Sequence, residues 1–134
     1  MEETMKIALW IAHILIGVIF LMAGSFKGFA PEAQLLEQAA NGMPWLTKDT
    51  VLLARIAGVS EFIGALGLFL PIFIHKLPAK LIGFAAVGLS TVMVCAMIFH
   101  ITRGEMDGAV ANVVIGSIAG FVAWGRLVRL PLRA

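Results

Sequence analysis

Apolar residues along this chain fall in long blocks rather than alternating with polar ones. Runs of about 20 apolar residues, the length a helix needs to cross a hydrocarbon core, occur four times. They cover Ile7 to Phe26, Thr50 to Ile74, Ala79 to Ile101 and Ala109 to Val128. The leader MEETMK carries two acids and the block after it is longer than a secretory h-region, so the first block reads as a retained helix. Pro71 and Pro78 bracket a tight connection between the second and third blocks, and Gly104 and Gly108 do the same between the third and fourth. The pattern predicts an all-α fold, a bundle of four transmembrane helices forming one integral membrane domain over residues 1–134.

The one sizeable loop, Lys27 to Asp49, has its own pattern. Pro31 followed by EAQLLEQAA predicts a short amphipathic helix with Leu35, Leu36 and Ala39 on one side. Asn41-Gly42-Met43-Pro44 ends it, and Trp45 suits the headgroup layer.

Composition agrees with the blocks. Of 134 residues, 60% are apolar and 13% charged, and the mean hydropathy is +0.99. A soluble domain is about half apolar and about a quarter charged, so the excess here must face lipid. The net charge of +2 does not point to nucleic acid, because the basic residues are scattered singly rather than gathered in a stripe. Four crossings put both termini on one side, with Lys6, Lys76, Lys80, Arg126, Arg129 and Arg133. The other side holds Lys27, Lys48 and Arg103 among the acids Glu32, Glu37, Asp49, Glu105 and Asp107. This asymmetry predicts a cytoplasmic (inner) membrane protein with both termini cytoplasmic and the amphipathic helix in the first extracytoplasmic loop. Trp10 and Trp124 then read as anchors at the cytoplasmic interface. Cys95 is the only cysteine, so no disulfide or CxxC pair forms within the chain, and its apolar setting reads as packing.

Glu61 is the residue that most needs explaining, since it lies near the middle of the second span. A carboxylate in hydrocarbon is costly unless it is paired, protonated or hydrated, so such groups face a bundle interior or a wet cavity. Ala54, Gly58, Glu61 and Ala65 share one helical stripe, small residues around an acid that let a neighbouring helix come close. Arg55 is too far round the helix to meet Glu61 and is expected to snorkel to the outer interface. At the depth of Glu61 the other spans offer the hydroxyls of Ser90, Thr91 and Ser117 as partners for a protonated acid. Further small-residue stripes run through His13, Gly17, Phe20, Gly24 and Lys27, and through Asn112, Gly116, Gly120 and Ala123. Their plainer meaning is helix packing. Lys27, Arg55, His100, Arg103, Glu105 and Asn112 gather in the outer half above Glu61, an arrangement suited to an outward-opening pocket.

Several chemistries fail on spacing. His13 and His100 lie at opposite depths, against a bis-histidine haem. No HxxH, ExxH or CxxC occurs, so no metal site is expected. Gly64-Ala65-Leu66-Gly67 is buried helix rather than a phosphate cradle. The chain carries no self-contained catalytic constellation.

The order GVIFLMAGSFKGF, then RIAGVSEFIGALGLFLP, then AAVGLSTVMVCAMIFHITRGE and a closing AWGRLVR resembles the DoxX-like membrane proteins from about Gly17 to Arg126. The stretch Arg-x-x-Gly-x-x-Glu-x-x-Gly-Ala-x-Gly-Leu carries most of that resemblance. It implies a four-helix bundle and emphasises Lys27, Arg55, Glu61, His100 and Asn112 as ligand-binding positions. A related branch is named as a subunit of a thiosulfate:quinone oxidoreductase. The resemblance therefore implies a small-molecule binding or accessory subunit of a membrane oxidoreductase system. Any redox group would be a bound quinone or belong to a redox-protein partner, since no intrinsic cofactor is expected. A homodimer is a further expectation, because four helices bury little among themselves. Two alternatives stand beside this reading: a proton-coupled small-molecule transporter using Glu61, and a membrane-protein assembly factor docking helices on its small-residue faces.

Overall fold

A computed structural model describes residues 1–132; Arg133, counted above among the basic residues, lies outside the described residues. The described chain is helical, with elements α1 (Glu2–Phe29), α2 (Glu32–Ala40), α3 (Val51–Phe73), α4 (Lys80–Thr102) and α5 (Met106–Trp124). A wider turn of π-helix, Gly125–Arg129, follows α5 directly. Four helices are long and apolar enough to cross a membrane, and α2 is the short amphipathic helix, with Leu35 buried on its inner side. This is a multi-pass membrane protein in contact with lipid.

The observed spans differ from the apolar blocks mainly at their ends. The first helix begins at Glu2 because the leader continues the helix, with Lys6 paired to both Glu2 and Glu3. Pro71 lies inside the last turn of α3 rather than in the connection, which runs from Ile74 to Ala79. The α4–α5 turn is closed by backbone bonds onto the His100 carbonyl, from Arg103 at 3.2 Å and Glu105 at 2.9 Å. Gly104 occupies the left-handed region there at φ 73°, a conformation that suits glycine.

α1 packs along α3 and α4 along α5, while α3 and α4 meet less extensively. The interior is filled by Leu9, Ile16, Phe20, Leu68, Leu89, Met93 and Val122. Ile11, Met22, Ile56, Ile63, Phe84, Ile98 and Val110 point outward, which suits lipid contact. In a bilayer, outward apolar residues gain nothing by moving inward, so close packing and polar contacts hold the helices together. A second apolar cluster of Leu35, Leu46 and Ala54, joined by Phe26 and Trp45, seats α2 and its following loop on one end of the bundle. That end is called the loop end here, and the end holding both chain termini the terminal end.

Candidate functional site

The site is built where α1 and α3 come closest. A methyl on Gly24 would lie 2.8 Å from the Gly58 carbonyl, and one on Gly58 would lie 2.6 Å from Lys27 Cβ. Backbones this near allow Lys27, in the last turn of α1, to place its Nζ 2.6 Å from Glu61 Oε1. Glu61 is 2% exposed, so an ion pair replaces the water that the carboxylate gives up. Arg55 donates at 3.2 Å to the Lys27 carbonyl, satisfying an end of α1 that has no further helical N–H to bond. The expected partners of Glu61 turn out otherwise. Ser90 donates to the Gly116 carbonyl, Thr91 to Val87 and Ser117 to Val113. Thr91 and Ser117 bond carbonyls one turn back on their own helices and Ser90 bonds across to α5, while the lysine supplies Glu61 with a stronger partner. Glu61 Oε2 is buried and has no hydrogen-bond partner among the described residues.

A second polar group forms at the loop end. His100 Nδ1 lies 2.7 Å from Glu105 Oε2, and Arg103 Nε donates to Glu105 Oε1 at 3.0 Å. A carboxylate only accepts, so the Nδ1 nitrogen carries the hydrogen. Burial works to raise the Glu105 carboxyl, but hydrogen bonds from His100 and Arg103, with their charges, outweigh it and hold the group below the usual carboxylate range. Trp45 stands edge-on to His100 at 5.9 Å and to Phe99 at 6.1 Å. Its own carbonyl is held by the Thr50 hydroxyl at 2.7 Å, so the turn that starts α3 also fixes the tryptophan. Asn112 donates to the Gly108 carbonyl of its own helix at 2.9 Å.

Two cavities meet among these groups. A vestibule of about 740 Å³ at the loop end is lined by Lys27, Trp45, His100, Glu105 and Asn112, among others. A groove of about 280 Å³ runs down the seam of α3 and α4, past Ile56, Ser60, Glu61, Thr91, Cys95 and Phe99. Lys27, Trp45, His100 and Asn112 line both, so the two spaces adjoin. The outward exposure of Ile56, Ser60, Thr91 and Cys95 opens the groove sideways, toward lipid. Of the residues singled out from sequence, Lys27, Glu61, His100 and Asn112 gather here, while Arg55 lines neither cavity. Cys95 is exposed on the groove rather than packed. Among the described residues no three His, Cys, Asp or Glu side chains converge as metal ligands would.

Trp45 is a lining residue that sequence reasoning assigned to the headgroup layer, whereas Glu105 lines the vestibule among the outer-half polar residues with which the sequence grouped it. The terminal end holds another arrangement that it missed. Arg126, expected as a surface charge, is 4% exposed. Its guanidinium lies 4.3 Å over the Trp10 ring and donates to His13 Nδ1 at 3.3 Å. Trp10, half-buried, thus stacks against both Arg126 and His13. His13 Nε2 in turn donates at 2.9 Å to the Leu68 carbonyl, in the turn of α3 just before Pro71. The His13 stripe on α1 signalled a buried face, but nothing local linked it to Arg126.

No match was found among the curated proteins or the solved structures compared with the chain. A family match does cover residues 11–122, enclosing every residue that lines the vestibule and the groove. On that extent of similarity, the chain belongs to the DoxX-like family.

Proposed function

We propose that this protein binds a lipid-soluble small molecule of the quinone or lipid type, as an accessory subunit of a membrane oxidoreductase system. One observation carries the reading: an apolar groove open toward lipid adjoins a vestibule lined by charged and polar groups, Lys27 borders both, and its partner Glu61 lines the groove. An amphiphile fits such a space, its tail along Ile56 and Phe99 and its head among Lys27, His100 and Asn112. A chain with no redox group of its own would contribute by holding that molecule for a catalytic partner. The basic excess at the terminal end supports placing both termini in the cytoplasm and the vestibule on the outer side of a cytoplasmic membrane. The ion pair weighs against the exporter alternative, since a fixed lysine already neutralises the carboxylate that would alternate between protons and cationic substrates.

The test is extraction of lipid-soluble molecules from purified protein, followed by mass spectrometry, alongside affinity capture of its membrane partners. The expected result is a quinone or lipid retained by the wild type and depleted in Glu61→Gln, with a redox protein captured by both. An empty wild-type protein that captures no redox partner overturns the proposal.

A further inference from the structure

The Lys27–Glu61 pair is unevenly satisfied, and the imbalance says what kind of group should sit against it. Lys27 Nζ carries three hydrogens, and its hydrogen bond among the described residues goes to Glu61 Oε1. Glu61 Oε2 is buried without a partner among the described residues, although Glu61 itself lines the groove. A carboxylate paired to an ammonium has no proton to give, so Oε2 can only accept. Beside it, the lysine can only donate. The neighbouring hydroxyls do not fill the gap, because Ser60 donates to the Ile56 carbonyl and Thr91 to Val87.

Resting on the binding reading above, we infer that the groove selects a ligand bearing a hydroxyl group, of the phenol or hydroquinone type, over its carbonyl or ether counterparts. A hydroxyl satisfies both partners at once: its oxygen accepts from Lys27 Nζ and its hydrogen goes to Glu61 Oε2. The terminal torsion of a glutamate is soft, so the carboxylate can turn to bring Oε2 to a hydroxyl held by Lys27. A quinone carbonyl can accept from the lysine but places a second acceptor against Oε2. A methyl ether does the same and adds bulk. Sites that hydrogen-bond a hydroxyl reject analogues lacking it, because the buried protein group is then left unpaired. For a quinone couple, tighter binding of the reduced form means that the site holds the two-electron-reduced, doubly protonated molecule in preference to the oxidised one.

The experiment needs no substitution, so it does not depend on a variant folding. The full chain in phosphatidylcholine nanodiscs is titrated anaerobically with a decyl-substituted benzohydroquinone, its dimethyl ether and the matching benzoquinone. Binding is measured by calorimetry against empty nanodiscs. The expected result is at least ten-fold tighter binding of the hydroquinone than of either analogue. Comparable affinities for all three, or tighter binding of the quinone, overturn the inference while leaving the small-molecule reading intact. Binding of none of the three overturns the inference and counts against its parent reading as well.

Discussion

Gly24 of α1 and Gly58 of α3 face each other so closely that a Cβ on Gly24 would stand 2.8 Å from the Gly58 carbonyl and 2.5 Å from the Phe62 nitrogen. These atoms belong to the backbone and cannot turn aside, so a side chain here pushes two helices apart. The next turn of α1 carries Lys27, and its reach to Glu61 depends on this approach. Gly24→Ala is therefore expected to destabilise the protein by about 1–3 kcal/mol, the usual cost of overpacking. Gly88→Ala, where an added Cβ meets nothing within 4 Å, should stay within about 0.5 kcal/mol of wild type. Thermal unfolding in detergent, run in parallel on the two variants, checks the contrast.

Breaking the buried ion pair on one side should cost more than removing it altogether. Lys27→Met leaves a carboxylate at 2% exposure without its ion-pair partner, and single-partner losses of this sort cost about 3–5 kcal/mol. The double variant Lys27→Met with Glu61→Leu removes the stranded charge and should recover a large part of that loss. Denaturant titration of the three proteins gives the answer, and a double variant no better than Lys27→Met would refute the coupling.

Acid should loosen the α4–α5 turn. Glu105 has its carboxyl below the ordinary glutamate range because His100 and Arg103 donate to it. A group whose folded value is depressed adds stability that is present in full above its unfolded value, near 4.3, and lost as pH falls through the folded one. The stability gap between wild type and Glu105→Gln should thus be present above about pH 5 and close as pH falls below about 4. A pH series of thermal unfolding curves for both proteins measures it.

Cys95 offers a reporter for the groove. It is exposed on the α3–α4 seam and is the only cysteine in the sequence. A membrane-soluble maleimide should label it, whereas a charged, impermeant one should react far more slowly. A molecule occupying the groove should slow the labelling in proportion to its occupancy. Mass spectrometry of the labelled chain follows the reaction, and labelling unaffected by any groove ligand would remove that space as the binding site.

The spans and the inward turn of Glu61 were legible because each is a local matter. Twenty apolar residues in a row leave few options in water, and a stripe of Ala54, Gly58 and Ala65 beside an acid marks a packed face at helical spacing. Lys27 was legible in the same way, on the stripe with Gly17 and Gly24. The step from two stripes to one ion pair was not, because periodicity says which face is buried and never which helix lies opposite. Ser90, Thr91 and Ser117 looked like partners by depth alone, yet each had a carbonyl closer at hand. Arg126 failed for a related reason. An arginine near the end of a span reads as an interfacial cation, and only the arrival of Trp10 and His13 from the far end of the chain gives it a place inside.

The sideways mouth of the groove has a consequence for how affinity would be measured. A ligand entering from hydrocarbon keeps its tail among apolar groups before and after, so lengthening that tail changes little in the equilibrium counted per molecule of lipid. Counted per litre of water, each added methylene raises partitioning by about 0.8 kcal/mol, roughly a four-fold gain. The bilayer would then act as a reservoir, and chain length would set the supply while the head alone set the choice.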